Sequence, residues 1–161
     1  FLVDDSPART VMGHIDRPEP KVDFGHEVEH SAIAHIYFEN GVRAFIEQGD
    51  VAPPPYAFQL IGTAGSISLN APDGHAMRVI TVDGERDVDV PAVNAKRAEV
   101  DALLTWLDGG QPHPCRGENG VKTHEILMAV YESSRRHGAV SLPLDTDEFP
   151  LLRMIQDGDV P

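Results

Sequence analysis

Residues 26–30 read His-Glu-Val-Glu-His, the H-E-x-x-H pattern that is typical of zinc-dependent hydrolases. In such a site two histidines lie on one face of a helix and bind the same Zn²⁺, while the glutamate acts as a general base. The chemistry therefore requires a helix. The preceding residues, Asp23-Phe24-Gly25, do not favour one, because glycine is a poor residue in a helix interior.

The residues that follow this segment predict a β-hairpin. Apolar side chains alternate along 32–38, and the alternation resumes along 42–46. Between the two stretches, Asn40-Gly41 predicts a type I′ turn. In an extended segment the two histidines lie about 13 Å apart, which is too far for both to bind one zinc ion at about 2 Å. We therefore predict no metal site here and keep a zinc hydrolase as an alternative.

Three other side chains are candidates for binding a small substrate. Tyr56 follows a run of three prolines and offers a hydroxyl, although it also fits a half-buried aromatic residue of a strand. Lys122 and His124 lie near the start of a predicted helix, where an anionic ligand is favoured, although they also fit a solvated first turn. His113 and Cys115 lie two residues apart in a proline-rich loop, where nothing makes them face each other as a catalytic pair.

The composition disfavours several classes of function. The net charge of −13 argues against binding to nucleic acids and against docking on anionic membranes, since both need clustered Lys and Arg. No apolar run approaches the roughly 18 residues that a membrane-spanning helix needs. The single cysteine excludes an internal disulfide and indicates a reducing compartment, so we predict a cytoplasmic location. Glycine-rich dinucleotide and phosphate loops are missing from the sequence, as is the G-x-S-x-G nucleophile motif.

The elements that must position these side chains are mainly strands, followed by helices. Strands are predicted at 8–15, 30–38, 42–48, 56–62, 66–70, 75–82, 86–90 and 139–144, one helix between Asn94 and Gly109, a second at 119–138, and an acidic tail at 145–161. Most connections between the strands are short, including tight turns at 63–65 and 83–84, which favours antiparallel neighbours.

This order of elements predicts a single α+β domain over residues 1–161. We expect an open, mostly antiparallel β-sheet with helices packed on one face. The other face carries Ile33, Tyr37 and Phe45, and we expect it to meet a second copy of the chain.

Four short motifs, in order and at matching spacing, suggest a family. They are Asn40-Gly41, the G-T-x-G turn at 62–65, the Ala-x-Tyr-x-Ser helix end at 129–133 and Leu142-Pro143-Leu144. With their flanks (32–49, 58–70 and 113–144) they resemble the C-terminal domain of the Gfo/Idh/MocA oxidoreductases, named for glucose–fructose oxidoreductase and inositol dehydrogenase. The resemblance covers nearly the whole chain and implies a dihydrodipicolinate reductase-like fold.

The resemblance also implies a function. A parent enzyme of two domains would bind NAD or NADP in an N-terminal Rossmann domain and transfer a hydride to or from a secondary alcohol of a sugar, cyclitol or related polyol. That domain carries the catalytic Lys, and the family's Asp/His pair lies just before the position of Phe1. No catalytic or cofactor-binding residue is therefore expected in this chain, which would bind substrate, form homo-oligomers through its open sheet face and be inactive alone. Tyr56 is a loose match to a substrate-site tyrosine of the family.

A different class of function stays open at this point. A stand-alone, non-catalytic interaction or scaffold domain of the same fold would show the same motifs. It requires that the natural gene product begin near Phe1.

Overall fold

The computed structural model describes residues 5–49, 58–69 and 77–161. The chain divides into two compact units: the sheet–helix unit (residues 1–50 and 112–161) and the hairpin unit (residues 51–111). The organisation of 1–161 as one domain stays a prediction. In the described ranges no helix is long and apolar enough to cross a membrane.

The sheet–helix unit is built on a four-stranded antiparallel sheet. Its elements are β1 (Ala8–Asp16), the short hairpin of β2 (Val22–Asp23) and β3 (His26–Glu27), β4 (Ser31–Phe38), β5 (Arg43–Gly49), α2 (Gly117–Arg136), β10 (Val140–Ser141) and α3 (Pro150–Asp157). The strand order of the sheet is β10-β1-β4-β5. Helix α2 packs against β1, and α3 packs against α2. The predicted α+β class and the antiparallel sheet with helices on one face are confirmed.

The hairpin unit is a four-stranded antiparallel meander followed by a helix. Its elements are β6 (Phe58–Gly62), β7 (Gly65–Leu69), β8 (Met77–Thr81), β9 (Gly84–Val88) and α1 (Ala95–Leu107). The predicted cap of α1 is confirmed, since the Asn94 Oδ1 accepts a hydrogen bond from the Arg97 N–H at 3.0 Å. The predicted apolar face of α1 is present but exposed, at 42–71% for Val100, Leu103, Leu104 and Leu107.

The turn between β4 and β5 differs from the predicted type I′ geometry. Only Gly41 has a positive φ, of 85°, and Asn40 does not. The Gly41 N–H donates to the Phe38 carbonyl, and the Phe38 N–H donates to the Val42 carbonyl, both at 3.0 Å. This is a three-residue loop that closes with a glycine bulge. The dipeptide therefore identified the hairpin correctly but not its turn type, because the glycine follows the turn instead of lying within its centre.

The core of the sheet–helix unit lies between α2 and the inner face of β1 and β4. Its members, each at most 7% exposed, are Val11, Ile15, Ala34, Ile36, Ala129, Val130, Val140, Leu151 and Met154. A Cβ atom added to Gly13 would lie 2.8 Å from Cγ1 of Val130. Glycine at this position therefore lets the helix approach the strand closely.

Two serines of α2 complete the hydrogen bonding of β1. The edge partner β10 has only two residues, and beyond it the Gly13 N–H donates to the Ser133 Oγ at 2.8 Å and the Ile15 N–H to the Ser134 Oγ at 3.2 Å. Buried backbone N–H groups need such partners. The small residues of the Ala-x-Tyr-x-Ser motif therefore both permit close packing and satisfy the strand edge.

The predicted acidic tail is instead partly helical. Helix α3 starts with Pro150 and ends at Gly158, whose φ is 80°. Leu151 and Met154 are 0% and 3% exposed and pack into the core. The sequence analysis missed this helix because three acidic residues at 145–148 dominate the composition of the segment. The apolar residues at helical spacing follow them.

Candidate functional site

The H-E-x-x-H segment is not helical. His26 and Glu27 form β3, which pairs with β2, and His30 directly precedes β4. The prediction that this segment is not a helix is confirmed. The described residues hold no group of three or more His, Cys, Asp or Glu side chains arranged to bind a metal ion. The two glutamates of the segment instead contact other side chains of the sheet–helix unit.

A groove of about 500 Å³ runs beside α2, over the inner face of β4 and β5, and we call it the α2 groove. Its floor is apolar and is formed by Ala32, Ala34, Ile36 and Ile46. Helix α2 forms one wall, with His124, Leu127, Met128 and Tyr131, and the segment before β4 supplies His26, Glu27 and Glu29. Ile46 is 47% exposed on this inner face. The groove exists because α2 lies over β1 and leaves β5 uncovered.

A carboxylate–phenol pair lies in the α2 groove. The Tyr131 hydroxyl donates to the Glu29 Oε2 at 2.6 Å. Burial, and then the hydrogen bond to the Glu29 carboxylate, raise the pKa of the Tyr131 phenol above its ordinary value of 10. The phenol is therefore a permanent donor at neutral pH and fixes the orientation of the carboxylate. The ring of Phe149 packs edge-on against Tyr131 with 5.7 Å between ring centroids.

The second carboxylate of the groove, that of Glu27, accepts a hydrogen bond from a buried guanidinium. The Nη2 of Arg17 donates to the Glu27 Oε2. The Arg17 side chain is 1% exposed, whereas that of Glu27 is 37% exposed. Nε and Nη1 of Arg17 are buried and have no hydrogen-bond partner among the described residues. Glu27 therefore turns one oxygen towards a buried guanidinium while the rest of its carboxylate reaches the groove.

The predicted substrate-binding residues lie in three different settings. His124 lines the α2 groove, where it lies two helical turns before Tyr131. It also lines an adjoining cavity of about 520 Å³, together with Glu125 and Phe149. Lys122 is exposed on α2 and is not among the groove-lining residues. Tyr56 lies outside the described residues. Substrate binding by these three residues stays a prediction.

Sequence reasoning did not pair Glu29 with Tyr131. Both residues belong to recognisable patterns, the acidic residues before β4 and the Ala-x-Tyr-x-Ser helix end. They are 102 positions apart, and neither pattern specifies the partner of the other. The Nδ1 of His113 accepts a hydrogen bond from the Cys115 backbone N–H at 3.1 Å.

Several solved oxidoreductases have a similar structure. The aldose–aldose oxidoreductase from Caulobacter crescentus, complexed with glycerol, matches 85% of this chain with a TM-score of 0.66 and 19% identity. An oxidoreductase from Agrobacterium radiobacter, in complex with NAD⁺, L-tartaric acid and magnesium, matches 84% with a TM-score of 0.61 and 18% identity. An NAD-binding oxidoreductase from Klebsiella pneumoniae matches 86% with a TM-score of 0.65 and 15% identity.

The match covers only part of each of the three solved proteins. This chain spans 42%, 43% and 46% of the length of those three proteins. No protein-family model matches the sequence, and a comparison with curated proteins finds no match either. At identities below 20%, these structural matches show that the fold is shared. The resemblance to the C-terminal domain of the Gfo/Idh/MocA oxidoreductases, inferred from four motifs, is thereby confirmed at the level of the fold.

Proposed function

We propose that this chain is the substrate-binding and oligomerisation part of an NAD- or NADP-dependent oxidoreductase. The enzyme would transfer a hydride to or from a secondary alcohol of a sugar, cyclitol or related polyol in the cytoplasm. One observation carries the proposal: most of this chain matches less than half of each of the three oxidoreductases compared above. The remaining half of the enzyme would then hold the cofactor and the catalytic Lys.

The described residues of the chain do not fit a dinucleotide site. Such a site needs a glycine-rich turn that leads from a strand into a helix, whose N-terminus then attracts the pyrophosphate. Helix α2 follows a proline-rich loop, not a strand, and carries Glu118 in its first turn, where a carboxylate would repel a phosphate. We therefore assign the chain no step of the hydride transfer. Its role is to hold the alcohol, and it is inactive by itself.

The α2 groove is the surface that we assign to the substrate. Its floor of alanines and isoleucines suits the C–H face of a sugar or cyclitol ring, and its rim offers carboxylate and phenol oxygens to hydroxyl groups. The glycerol complex of the Caulobacter enzyme supports a polyhydroxylated ligand for a protein of this fold.

The outer face of the sheet is the surface that we assign to assembly. Met12, His35 and Phe45 lie opposite one another across β1, β4 and β5. Met12 is 54% and Phe45 72% exposed, and Ile33 beside them is 43% exposed. A contiguous apolar stripe of this kind on a sheet is typical of protein–protein contacts, and a second copy is the partner that a homo-oligomer provides.

Sedimentation velocity tests the assembly surface. The Phe45→Arg variant should sediment as a monomer at concentrations where the wild-type chain associates, because a charge replaces an apolar contact. Phe24→Arg is the matched control, since Phe24 is 95% exposed on the β2–β3 turn and not on the sheet face. A wild-type chain that stays monomeric at every concentration, or a Phe45→Arg chain that associates normally, would contradict this role.

The coding sequence upstream of Phe1 and a cofactor titration test the enzyme proposal. We expect upstream codons for a Rossmann domain, and we expect the longer product to bind NADH or NADPH in a fluorescence titration while the 161-residue chain does not. Tight cofactor binding by the 161-residue chain alone would contradict the division of roles. A start codon immediately before Phe1 would instead support the non-catalytic scaffold domain.

A further inference from the structure

We propose that the α2 groove selects uncharged polyhydroxylated ligands over anionic ones, and that Glu29 and Tyr131 together bind two neighbouring hydroxyl groups. The inference rests on the proposed function and narrows its substrate class. It also identifies specificity residues that the sequence motifs did not assign.

The charges around the groove disfavour an anion. Among the described residues, its lining contains two carboxylates, Glu27 and Glu29, and two imidazoles, but no Lys or Arg. The neighbouring guanidinium of Arg17 is buried, already donates to Glu27 and is not a lining residue. A phosphate or carboxylate bound here would lose its hydration and meet the Glu29 carboxylate, whose charge no Lys or Arg among the described residues offsets. An uncharged ligand avoids both costs.

The geometry of the Glu29–Tyr131 pair suits a diol. Oε2 of Glu29 accepts from the Tyr131 hydroxyl at 2.6 Å, and Oε1 accepts no hydrogen bond from the described residues. The phenol oxygen of Tyr131 already donates its hydrogen bond to Glu29 but keeps a lone pair that can accept another. Two acceptors, Oε1 of Glu29 and Oη of Tyr131, therefore belong to one hydrogen-bonded pair. Two adjacent ligand hydroxyls can donate to them, whereas an ionised carboxylate or phosphate has no proton to donate.

The remainder of the groove suits a ring of modest size. Its volume of about 500 Å³ lies in the range of roughly 300–1,000 Å³ that is typical of small-molecule sites. The apolar floor covers the side of the ring that carries C–H groups, as Ala34 and Ile36 are buried in the sheet beneath it. The pair Glu29–Tyr131 then lies on the rim, where the hydroxyls of such a ring point.

The test uses the full gene product and pairs of ligands in which one member carries an anionic group in place of a neutral one. We would measure kcat/KM for glucose and glucuronate and for inositol and inositol monophosphate, with NAD⁺ and NADP⁺. The neutral member of an oxidised pair should be preferred at least tenfold. An enzyme that prefers the anionic members would overturn the inference but leave the proposed oxidoreductase intact. A product that binds cofactor yet oxidises none of these or other polyols would overturn both.

Two variants separate binding from folding. Glu29→Gln should lower kcat/KM for the neutral ligands about tenfold and reduce their preference over the anionic ones, because the repelling charge is gone. Tyr131→Phe, which keeps Glu29, should raise KM for the neutral ligands and change kcat less. Glu39→Gln, on the exposed β4–β5 turn, is the matched control with unchanged constants. If Glu29→Gln folds, as its thermal melt reports, and the preference for neutral ligands is unchanged, Glu29 does not bind the ligand as proposed. If the variant does not fold, the Tyr131→Phe variant and the charge preference of the wild type test the proposal instead.

Discussion

The two sides of helix α2 differ sharply although they belong to one helix. The side towards β1 presents Ala129, Ser133 and Ser134, which are 0%, 1% and 3% exposed. The side towards β5 presents His124, Leu127 and Tyr131, of which Leu127 is 53% exposed. The first side packs against the sheet, and we call it the sealed side. The second side forms the wall of the α2 groove.

Helix and strand dimensions explain the difference. A helix with its side chains is about 10 Å wide, and neighbouring strands lie about 4.8 Å apart. One helix therefore covers about two strands of a four-stranded sheet. Helix α2 covers β1 and its short partner β10, so the inner face of β5 is left open. Substitutions on the sealed side should therefore change stability, whereas those on the groove side should change ligand binding.

The largest effect is expected for Gly13→Val. The new side chain would meet Val130 Cγ1, which already lies 2.8 Å from the position of an added Cβ. We expect the free energy of unfolding in urea to fall by about 2–3 kcal/mol. Gly120→Ala is the control within α2, because no atom lies within 4 Å of its added Cβ, and it should stabilise the chain by up to about 1 kcal/mol. Equal stability of the two variants would contradict close packing on the sealed side.

A smaller effect with a pH signature is expected for Glu132→Gln. Glu132 is 2% exposed, and its carboxylate accepts from Nε and Nη2 of Arg135, both at 2.8 Å, and from Nε of Arg136. These hydrogen bonds, that from Arg135 first, hold the pKa of the Glu132 carboxyl below its usual value of 4.5. The variant should lose about 1.5–3 kcal/mol at neutral pH.

The sign of the pH dependence follows from the lowered pKa of Glu132. The stabilisation is complete above the ordinary pKa of 4.5 and is lost as pH falls through the lowered folded-state pKa. Wild type and Glu132→Gln should therefore converge in melting temperature as pH decreases below 4.5. A difference that stays constant from neutral to acidic pH would show that the charge of Glu132 does not contribute.

Paired alanine substitutions compare the two sides directly. Val130→Ala in the core should lower the free energy of unfolding by about 2 kcal/mol, because it leaves a cavity there. Leu127→Ala removes more carbon atoms but lies on the exposed groove side, so it should change the free energy of unfolding by about 0.5 kcal/mol or less. Chemical denaturation measures both. A Leu127→Ala variant as destabilised as Val130→Ala would mean that the groove is filled by packed protein, not open to a ligand.

A modest change in stability is expected for Tyr131→Phe. The variant loses the 2.6 Å hydrogen bond to Glu29 but keeps the ring that packs against Phe149. The net value of such a bond is about 0.5–1.5 kcal/mol. Tyr37→Phe is the control, since Tyr37 lies on the opposite face of the sheet. The thermal melt should show a modest loss for Tyr131→Phe only, and equal melts would argue that Glu29 finds another partner.

Local patterns predicted much of this fold. Alternation identified β4 and β5, the apolar periodicity identified α2, and Asn94 marked the start of α1. Helix α3 was missed because the acidic residues before it resemble a solvated tail. The turn type at Asn40-Gly41 was wrong because a glycine dipeptide fits more than one hairpin loop.

The candidate site was less predictable than the fold. The Glu29–Tyr131 pair depends on how α2 lies over the sheet, and that is set by Gly13, Ser133 and Ser134, not by any feature near Glu29. Spacing along the chain made His124 a candidate near a helix start, whereas α2 begins at Gly117, seven residues earlier. It could not indicate that the same helix would leave a groove beside β5.

The most direct measurement is polyol-dependent reduction of NAD⁺ and NADP⁺ by the full gene product, compared with the 161-residue chain under the same conditions. We expect the full product to reduce NAD⁺ or NADP⁺ in the steady state with at least one uncharged sugar or cyclitol. We expect no reduction by the 161-residue chain alone. Reduction by the 161-residue chain, or a full product that binds cofactor but oxidises no polyol, would contradict the role of this chain as the substrate-binding part of an oxidoreductase.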